Sequence, residues 1–304
     1  MKIALRQVDG KLPNLALMRL SAWHKARGDE VEWFAPLARY DRVYASKIFT
    51  FTPDDPYLPD DAIRGGTGYD IASRLPEEVE SCDPDYSIYP EFKEAIGFLT
   101  RGCVNNCPWC VVPRKEGCIR VVSDIERVAQ GRRHVLLFDN NFLAAPIDFV
   151  REQVEKMRRL RVRVDFNQAT DARLYDEERS EIMAGVPWLR YPRLSCDTDG
   201  MVPFVVAAVR RLRAFGWGGE VFVYLLAKND GIDSALMRIA KLLEADAKIV
   251  PFVMPYRNLD DDSDPPGPRL RALARWCNRS VLRKSCSFSE YEHSPSSPCS
   301  PVET

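Results

Sequence analysis

The chain has 304 residues, of which 45% are hydrophobic and 29% charged, and its 43 basic and 44 acidic residues give a net charge of -1. These proportions are ordinary for one large globular domain or two smaller ones, and they exclude a chain-wide field that would attract nucleic acid or a membrane surface. No apolar run reaches the length needed to cross a bilayer, and the first ten residues, MKIALRQVDG, are not typical of a signal peptide. We therefore expect a cytoplasmic protein without a membrane partner.

Residues 1–75 are predicted to form a small open α/β domain. Strand-like segments occupy residues 2–8, 30–34 and 42–49, and a segment with helical spacing of apolar residues occupies 14–27. The glycines of Arg64-Gly65-Gly66-Thr67-Gly68 suit a tight turn or a close approach of two backbones. As a phosphate loop the signal is weak, because no Gly-Lys-Ser/Thr follows.

Residues 76–91 are rich in proline and acidic residues and are predicted to be a linker, and a regular β-α pattern then runs over 92–285. The predicted strands are 95–100, 134–140, 161–168, 188–197, 220–228 and 248–256, and the helices after them are 123–130, 148–160, 176–184, 202–215, 233–245 and 268–280. This succession predicts a partial (βα)6 TIM-like barrel, with a doubly wound parallel sheet as the alternative. Residues 286–304 form a C-terminal extension whose Ser/Pro-rich end is typical of disorder.

Three cysteines, Cys103, Cys107 and Cys110, follow the first of these strands with the spacing C-x3-C-x2-C. Gly102 and Pro108 favour a loop here, which allows the thiols to surround one centre. Thiolates bind zinc or iron–sulfur clusters. With Cys118 as a fourth ligand the site would be that of a zinc-binding structural or interaction module. With three ligands it would hold a [4Fe-4S] cluster and leave one iron open for an exchangeable ligand.

Polar residues collect where the predicted strands end. Both candidate architectures bind ligands at the carboxyl ends of their strands, so these side chains are expected near the thiols. They are Asp139, Asn140 and Asn141 after the second strand, Asn167, Gln168, Asp171 and Arg173 after the third, and Cys196 and Asp197 after the fourth.

The segment CVNNCPWC resembles the C-x3-C-aromatic-C signature of the radical S-adenosylmethionine (radical SAM) superfamily, with Trp109 at the aromatic position, and the likeness covers residues 90 to about 280. The resemblance implies that Cys103, Cys107 and Cys110 bind a [4Fe-4S] cluster whose open iron binds S-adenosyl-L-methionine (SAM). It implies reductive cleavage of SAM to a 5′-deoxyadenosyl radical, which abstracts a hydrogen from the substrate. It also implies an electron donor such as flavodoxin or ferredoxin.

The resemblance further suggests which residues bind the cofactor. Trp109 would cover the cluster. Asp139, Asn140 and Asn141 stand where the family often has a Gly-Gly-Glu motif for the SAM amine, from which this chain departs. The remaining candidates are Asn167, Gln168 and Asp171 for the ribose or carboxylate, and Arg173 for a carboxylate.

The first domain resembles a shortened form of the domain found in methylthiotransferases and cobalamin-dependent radical SAM enzymes. The cobalt-binding Asp-x-His-x-x-Gly motif is absent, and His24 lies within a predicted helix, where we expect it to be exposed. No cobalamin is therefore expected. The substrate stays open between a tRNA or nucleic-acid base, which the methylthiotransferase likeness favours, and a peptide or small metabolite.

Overall fold

A computed structural model of the chain describes residues 1–258, 260 and 264–292. The chain divides into two compact units, Met1–Ile96 and Gly97–Thr304. Parallel strand pairs with intervening helices occur in both, so the predicted α/β class is confirmed. The disorder predicted for the end of the C-terminal extension concerns residues 293–304, which lie outside the described residues.

The first unit is built on a four-stranded parallel sheet in the order β2-β1-β3-β4. Its elements are β1 (Lys2–Gln7), α1 (Leu15–Lys25), β2 (Glu30–Trp33), β3 (Arg42–Ser46), β4 (Ile63–Gly65) and α2 (Glu77–Glu80). Helix α1 begins where predicted because the Asn14 side chain accepts from the amides of Ala16 and Leu17. Ile3 and Leu5 of β1 pack beneath this helix.

The segment 76–91, predicted as a linker, folds against the first unit instead. It contains α2 and a 3-10 turn over Tyr86–Ile88. Val79 is 2% exposed and belongs to the same core cluster as Ile3. The acidic residues of this segment lie on the solvent side of a short helix. Its acidic composition therefore gave no sign that one apolar side chain, Val79, is buried.

His24, expected to be exposed, is fully buried. Its Nδ1 lies 2.7 Å from Asp29 Oδ2 and its Nε2 lies 3.1 Å from the Tyr44 hydroxyl. Burial of the imidazole is tolerated because both ring nitrogens have partners.

The glycine run in this unit permits a close approach of backbones, as the sequence suggested. Gly66 has φ +94°, and a Cβ there would lie 2.4 Å from the Lys47 carbonyl oxygen. Gly68 donates its amide to the same carbonyl at 2.9 Å. A larger residue at Gly66 would push this loop off the end of β3.

The second unit continues with alternating strands and helices. Strand β5 (Ala95–Gly97) spans the boundary between the two units in the sequence. The strands that follow are β6 (Thr100–Arg101), β7 (Arg120–Val121), β8 (His134–Leu137), β9 (Arg163–Phe166), β10 (Arg193–Ser195), β11 (Val221–Ala227) and β12 (Ile249–Pro255). Its helices are α3 (Val112–Lys115), α4 (Ile125–Ala129), α5 (Ile147–Arg159), α6 (Glu177–Ala184), α7 (Val202–Ala214), α8 (Ile232–Ala245), α9 (Pro268–Asn278), α10 (Ser280–Ser285) and α11 (Phe288–Glu292). Within the described ranges, none of these helices is long and apolar enough to span a bilayer.

Two three-stranded sheets, β5-β8-β9 and β10-β11-β12, make up the strand layer of this unit. Single parallel bridges, Val164 with Trp188 and Thr170 with Leu194, connect β9 to the segment that contains β10. The strands therefore follow one another in chain order. β10 is shorter than its predicted range of 188–197, and Pro192, which has no amide hydrogen, directly precedes it.

A buried ion pair links the two sheets at this junction. Arg193 on β10 donates through both terminal nitrogens to Asp165 on β9, and also to the Phe166 carbonyl at 2.9 Å. The two side chains are only 4% and 1% exposed. Such a pair stabilises a fold weakly, but removing one partner leaves an uncompensated buried charge.

We therefore predict that Asp165→Leu lowers the free energy of unfolding by roughly 3–5 kcal/mol, and that adding Arg193→Met restores most of this loss. Urea unfolding followed by circular dichroism measures both effects. Arg151→Ala is the control, because its pair with Glu178 is exposed and should contribute less than about 1 kcal/mol. An Asp165→Leu protein with the parent's unfolding midpoint would contradict the prediction.

Candidate functional site

The three cysteines lie in a loop of residues 102–119, called here the cysteine loop. Strands β6 and β7 close its base as an antiparallel pair, with Thr100 opposite Val121 and Arg101 opposite Arg120. Above this pair the Cys103 amide donates to the Gly117 carbonyl at 3.1 Å. The predicted strand 95–100 is therefore divided, because its end pairs with the return of the loop.

Gly102 allows the two ends of the cysteine loop to touch. Its φ is +85°, and a Cβ would lie 2.1 Å from the carbonyl oxygen of Cys118. Its amide donates to Asn140 Oδ1 at 2.9 Å. Any other residue would force the ends apart, so the glycine before the first cysteine is a requirement of the backbone.

Asp139 fixes the chain just before the loop. Its Oδ2 accepts from the Leu99 amide at 3.0 Å, and its Oδ1 accepts from the Thr100 amide at 2.6 Å and the Thr100 hydroxyl at 2.7 Å. Burial raises the pKa of this carboxyl to about 6, although these hydrogen bonds lower it. We expected Asp139 to accept from the SAM amine. Both oxygens are engaged and 2% of the residue is exposed, so Asp139 positions the loop, and its contact with SAM stays a prediction.

The thiols of Cys103, Cys107 and Cys110 are half-buried. Burial raises the pKa of Cys107 and Cys110, and the charges of the neighbouring thiolates and of Asp197 raise it further. The metal-free loop therefore favours neutral thiols. A bound metal cation reverses this preference, so metal binding would release protons.

Two of the sulfur atoms accept hydrogen bonds. Cys103 Sγ accepts from the Asn105 amide at 3.4 Å and from Asn141 Nδ2 at 3.5 Å, and Cys110 Sγ accepts from the Val112 amide at 3.4 Å. N–H groups directed at cysteine sulfur stabilise thiolate character, and around iron–sulfur clusters they tune the reduction potential. Three soft donors with this surrounding fit a cluster in their chemistry.

In the part of the chain that the structure describes, no three His, Cys, Asp or Glu side chains converge on a point that would hold one metal ion. The corner irons of a cube are separate atoms, each with its own outside ligand, so its thiolates surround the cluster without meeting at one point. Cys118, the fourth ligand of the zinc alternative, is exposed.

Asp171 brings the residues after β9 to the cysteine loop. It accepts from Asn105 Nδ2 at 2.8 Å and from Arg173 Nε and Nη2 at 2.9 and 2.7 Å, while its amide donates to Asn141 Oδ1 at 3.2 Å. Burial raises the pKa of Asp171, but the hydrogen bonds from Arg173 and Asn105 outweigh it, so this pKa is lowered. Two predicted site residues, Asn141 and Arg173, thus meet at a third, Asp171, and Asn105, which the sequence did not single out, joins them there.

Asn167 and Gln168 are not drawn into this network. The Asn167 carbonyl accepts from the Tyr224 hydroxyl at 3.4 Å, and Gln168 is exposed. Among the described residues neither side chain has a hydrogen bond, so the structure leaves their expected contacts with SAM as a prediction.

Asp197 connects the cysteine loop to the end of β10. Its carboxylate accepts from the Leu226 amide at 3.2 Å, and the nearby Trp109 side chain acts to lower the pKa of this carboxyl. Burial raises the pKa of Asp197, and hydrogen bonds from these two donors oppose the rise. The sequence marked this aspartate only as a polar residue at a strand end, and it gave no sign of the contact with Trp109.

Arg238 on α8, which the sequence analysis did not identify, binds backbone groups at the ends of β10 and β11. Its guanidinium is nearly buried and donates to the carbonyls of Cys196 and Leu226, the second at 2.8 Å. The sequence did offer one signal: this arginine lies at helical spacing from the apolar residues Ala235, Ile239 and Leu242 of α8.

The raised pKa of Asp139 predicts a pH-dependent stability. Because the pKa rises from 3.8 to about 6 on folding, the carboxyl's contribution is complete below pH 3.8 and is lost as the pH rises through 6. Relative to Asp139→Asn, which cannot titrate, the parent should lose about 2–3 kcal/mol of unfolding free energy between pH 4 and pH 7. Urea unfolding across this range measures the difference. Asp148→Asn, at a carboxylate 93% exposed, is the control and should show no such trend; a pH-independent difference for Asp139→Asn would contradict the prediction.

Neither a protein-family model nor a curated protein sequence matches this chain. The functional assignment therefore depends on the residues themselves. They are three thiols in a loop closed by a hairpin, with polar side chains from the ends of three strands around it.

Proposed function

We propose that this protein is a radical SAM enzyme that binds one [4Fe-4S] cluster through Cys103, Cys107 and Cys110. The observation that carries the proposal is the C-x3-C-x2-C spacing with Trp109 before the third cysteine, in a loop beside the ends of parallel strands. When bound, the cluster supplies the electron that cleaves SAM to methionine and a 5′-deoxyadenosyl radical, which abstracts hydrogen from the substrate. Three thiolates leave one iron of the cluster without a protein ligand, so that SAM can bind to it.

The proposal includes a partial (βα)6 barrel as the architecture of the second unit. Its support is the strand order, since β5, β8, β9, β10, β11 and β12 lie in chain order through the sheets and their two bridges. A doubly wound sheet reverses its order at a switch point, whereas a barrel does not. In a barrel the loops after all these strands share one opening, which suits a cofactor contacted by several of them.

In this proposal, the residues around the cysteine loop have different roles. Asp139 and Asn140 hold the backbone on which Cys103 sits, and Asn141 donates to its sulfur. Arg173 uses Nε and Nη2 on Asp171, which orients the guanidinium and leaves Nη1 outside this pair for the carboxylate of SAM. Trp109, which lies near Asp197, would cover the cluster.

We propose further that the enzyme works without cobalamin and receives its electron from a small carrier such as flavodoxin or ferredoxin. His24 supports the first point, because the buried ring has both nitrogens engaged within its own unit.

Cysteine variants test the cluster. The anaerobically reconstituted parent should hold about four irons per chain, and Cys103→Ala, Cys107→Ala or Cys110→Ala should lose most of this iron because two thiolates are too few. In these three variants the formation of 5′-deoxyadenosine from SAM and dithionite should also fall to background. Cys118→Ala is the matched control and should keep both.

Iron loss in Cys118→Ala, or one zinc per chain with no iron after reconstitution of the parent, would contradict the proposal and favour the zinc-binding module.

The hydrogen bond from Asn141 to Cys103 Sγ predicts an effect on the reduction potential of the cluster. Asn141→Leu keeps the size of the side chain but removes the donor to Cys103 Sγ, so the reduced cluster loses stabilisation and its midpoint potential should fall by roughly 20–60 mV. A redox titration followed by electron paramagnetic resonance measures it. In the control Asn167→Leu, titrated without SAM, no bond to sulfur is lost because among the described residues this side chain has no hydrogen bond, and the potential should stay unchanged. An unchanged or higher potential in Asn141→Leu would remove this role.

A further inference from the structure

The turns that lead into three neighbouring strands carry an excess of positive charge. The segments 130–134, 158–163 and 185–193 precede or begin β8, β9 and β10, and together they contain eight arginines and no aspartate or glutamate. The chain as a whole has a net charge of -1. These three segments, called here the basic edge, are bounded by Glu94 before β5 and Glu220 before β11.

Strand pairing brings the three segments together. The Arg163 amide donates to the Arg133 carbonyl at 2.7 Å, and His134 pairs with Arg163 across β8 and β9. The side chain of Arg190 reaches β9, where its Nε lies 3.7 Å from Asp165 Oδ2. Neighbouring strands lie about 4.8 Å apart, so the basic edge spreads its arginines over roughly 10 Å across three strands.

Little of this charge is neutralised within the chain. In the part that the structure describes, the side chains of Arg133, Arg159 and Arg161 are exposed and have no hydrogen bond or ion pair. Arg163 donates to the Trp188 carbonyl, which engages its N–H groups but leaves its charge. The dipole of α5 accounts for Arg159 at most, because the field of a helix falls off beyond its last turn.

Arg161 occupies a backbone position that does not suit an arginine. Its φ is +55°, in the left-handed region that favours glycine, and the turns after α4 and α7 have glycines with φ above zero, Gly131 and Gly216. Because the Arg161 side chain has no polar partner among the described residues, the fold gains nothing polar in return for this conformation. Its guanidinium is available to a ligand outside the chain.

The side chains of the basic edge suit a phosphate backbone better than a protein or a membrane. A guanidinium binds phosphate through two parallel hydrogen bonds. Val162 and Trp188 are 4% and 5% exposed, and no large apolar side chain in these three described segments is exposed. A protein interface or a membrane surface takes up apolar side chains, whereas a phosphate backbone requires charge alone.

The form of the basic edge favours RNA over duplex DNA. The major groove of B-DNA admits a helix or a two-stranded ribbon, but the basic edge consists of turns and strand ends. The minor groove of A-form RNA is wide and shallow, so short turns can reach the phosphates beside it.

We propose that the basic edge binds RNA through its phosphate backbone. The basic edge lies at the amino ends of β8, β9 and β10, whereas the cysteine loop lies between β6 and β7, and RNA binding requires no iron. The inference therefore goes beyond the proposed function and does not rest on it.

Fluorescence anisotropy on the full chain, with and without reconstituted cluster, tests the inference with a fluorescein-labelled RNA hairpin as the probe. The dissociation constant should rise steeply with salt, with a slope of about 3 in log Kd against log salt concentration. Arg133→Gln, Arg159→Gln and Arg161→Gln should each weaken binding about three- to tenfold and lower this slope by roughly 0.7–0.9.

Arg275→Gln is the matched control, because Arg275 is also exposed in the last turn of a helix, α9, and should leave the dissociation constant unchanged. Arg161→Gly separates loss of charge from loss of fold. It should weaken RNA binding as Arg161→Gln does, while its urea-unfolding midpoint stays at or above the parent's, since glycine suits the left-handed backbone.

Unchanged binding in the three glutamine variants, or an equal loss in Arg275→Gln, would overturn the inference. Equally tight binding of a DNA duplex of the same sequence, of poly-L-glutamate or of phosphatidylserine vesicles would overturn it as well. Absence of RNA binding in a protein that holds its iron would overturn it and leave the proposed function intact. RNA binding in a protein that cannot hold iron would support it and contradict the proposed function alone.

Discussion

The hydrogen bonds from Leu99 and Thr100 to the buried carboxylate of Asp139 are the constraint on which the site depends. They fix the chain at the point where it leaves β5 and enters the cysteine loop. Asn140 then holds Gly102, and Asn141 reaches Cys103, so three consecutive residues after β8 set the position of the first thiol. A loop with four cysteines and two prolines would otherwise have little to order it, since its own helix α3 has only four residues.

Two buried arginines of the second unit bind groups on neighbouring strands. Arg193 on β10 pairs with Asp165 on β9, and Arg238 donates to the carbonyls of Cys196 and Leu226, beside β10 and on β11. Low dielectric strengthens such contacts and makes each one costly to break, which gives the strand ends defined positions.

Much of this arrangement could be predicted from the sequence, because it follows from periodicity and local motifs. The strand and helix alternation was readable, since each helix carries an apolar face and each strand an apolar run, and the cysteine loop was placed after the right strand. The role of Asp139 was not readable, because whether a carboxylate at a strand end faces a ligand or a backbone amide depends on how the next strand packs. The contacts of Asp197 with Trp109 and of Asn105 with Asp171 join residues 88 and 66 positions apart, and no local pattern encodes them. The buried Val79 was missed because a single buried side chain on a polar segment leaves no periodic signal. His24 lies on the buried face of α1 with Leu17 and Leu20, and its polar ring was the reason it was expected to be exposed.

The claim at the centre of this account is that the three thiols hold a cluster with one iron open to SAM. The most direct measurement is the electron paramagnetic resonance spectrum of the reduced, reconstituted protein before and after SAM is added. The account predicts the signal of a reduced [4Fe-4S] cluster whose g-values shift when SAM binds to the open iron. A protein that gives no cluster signal, or one whose signal SAM leaves unchanged, would contradict it.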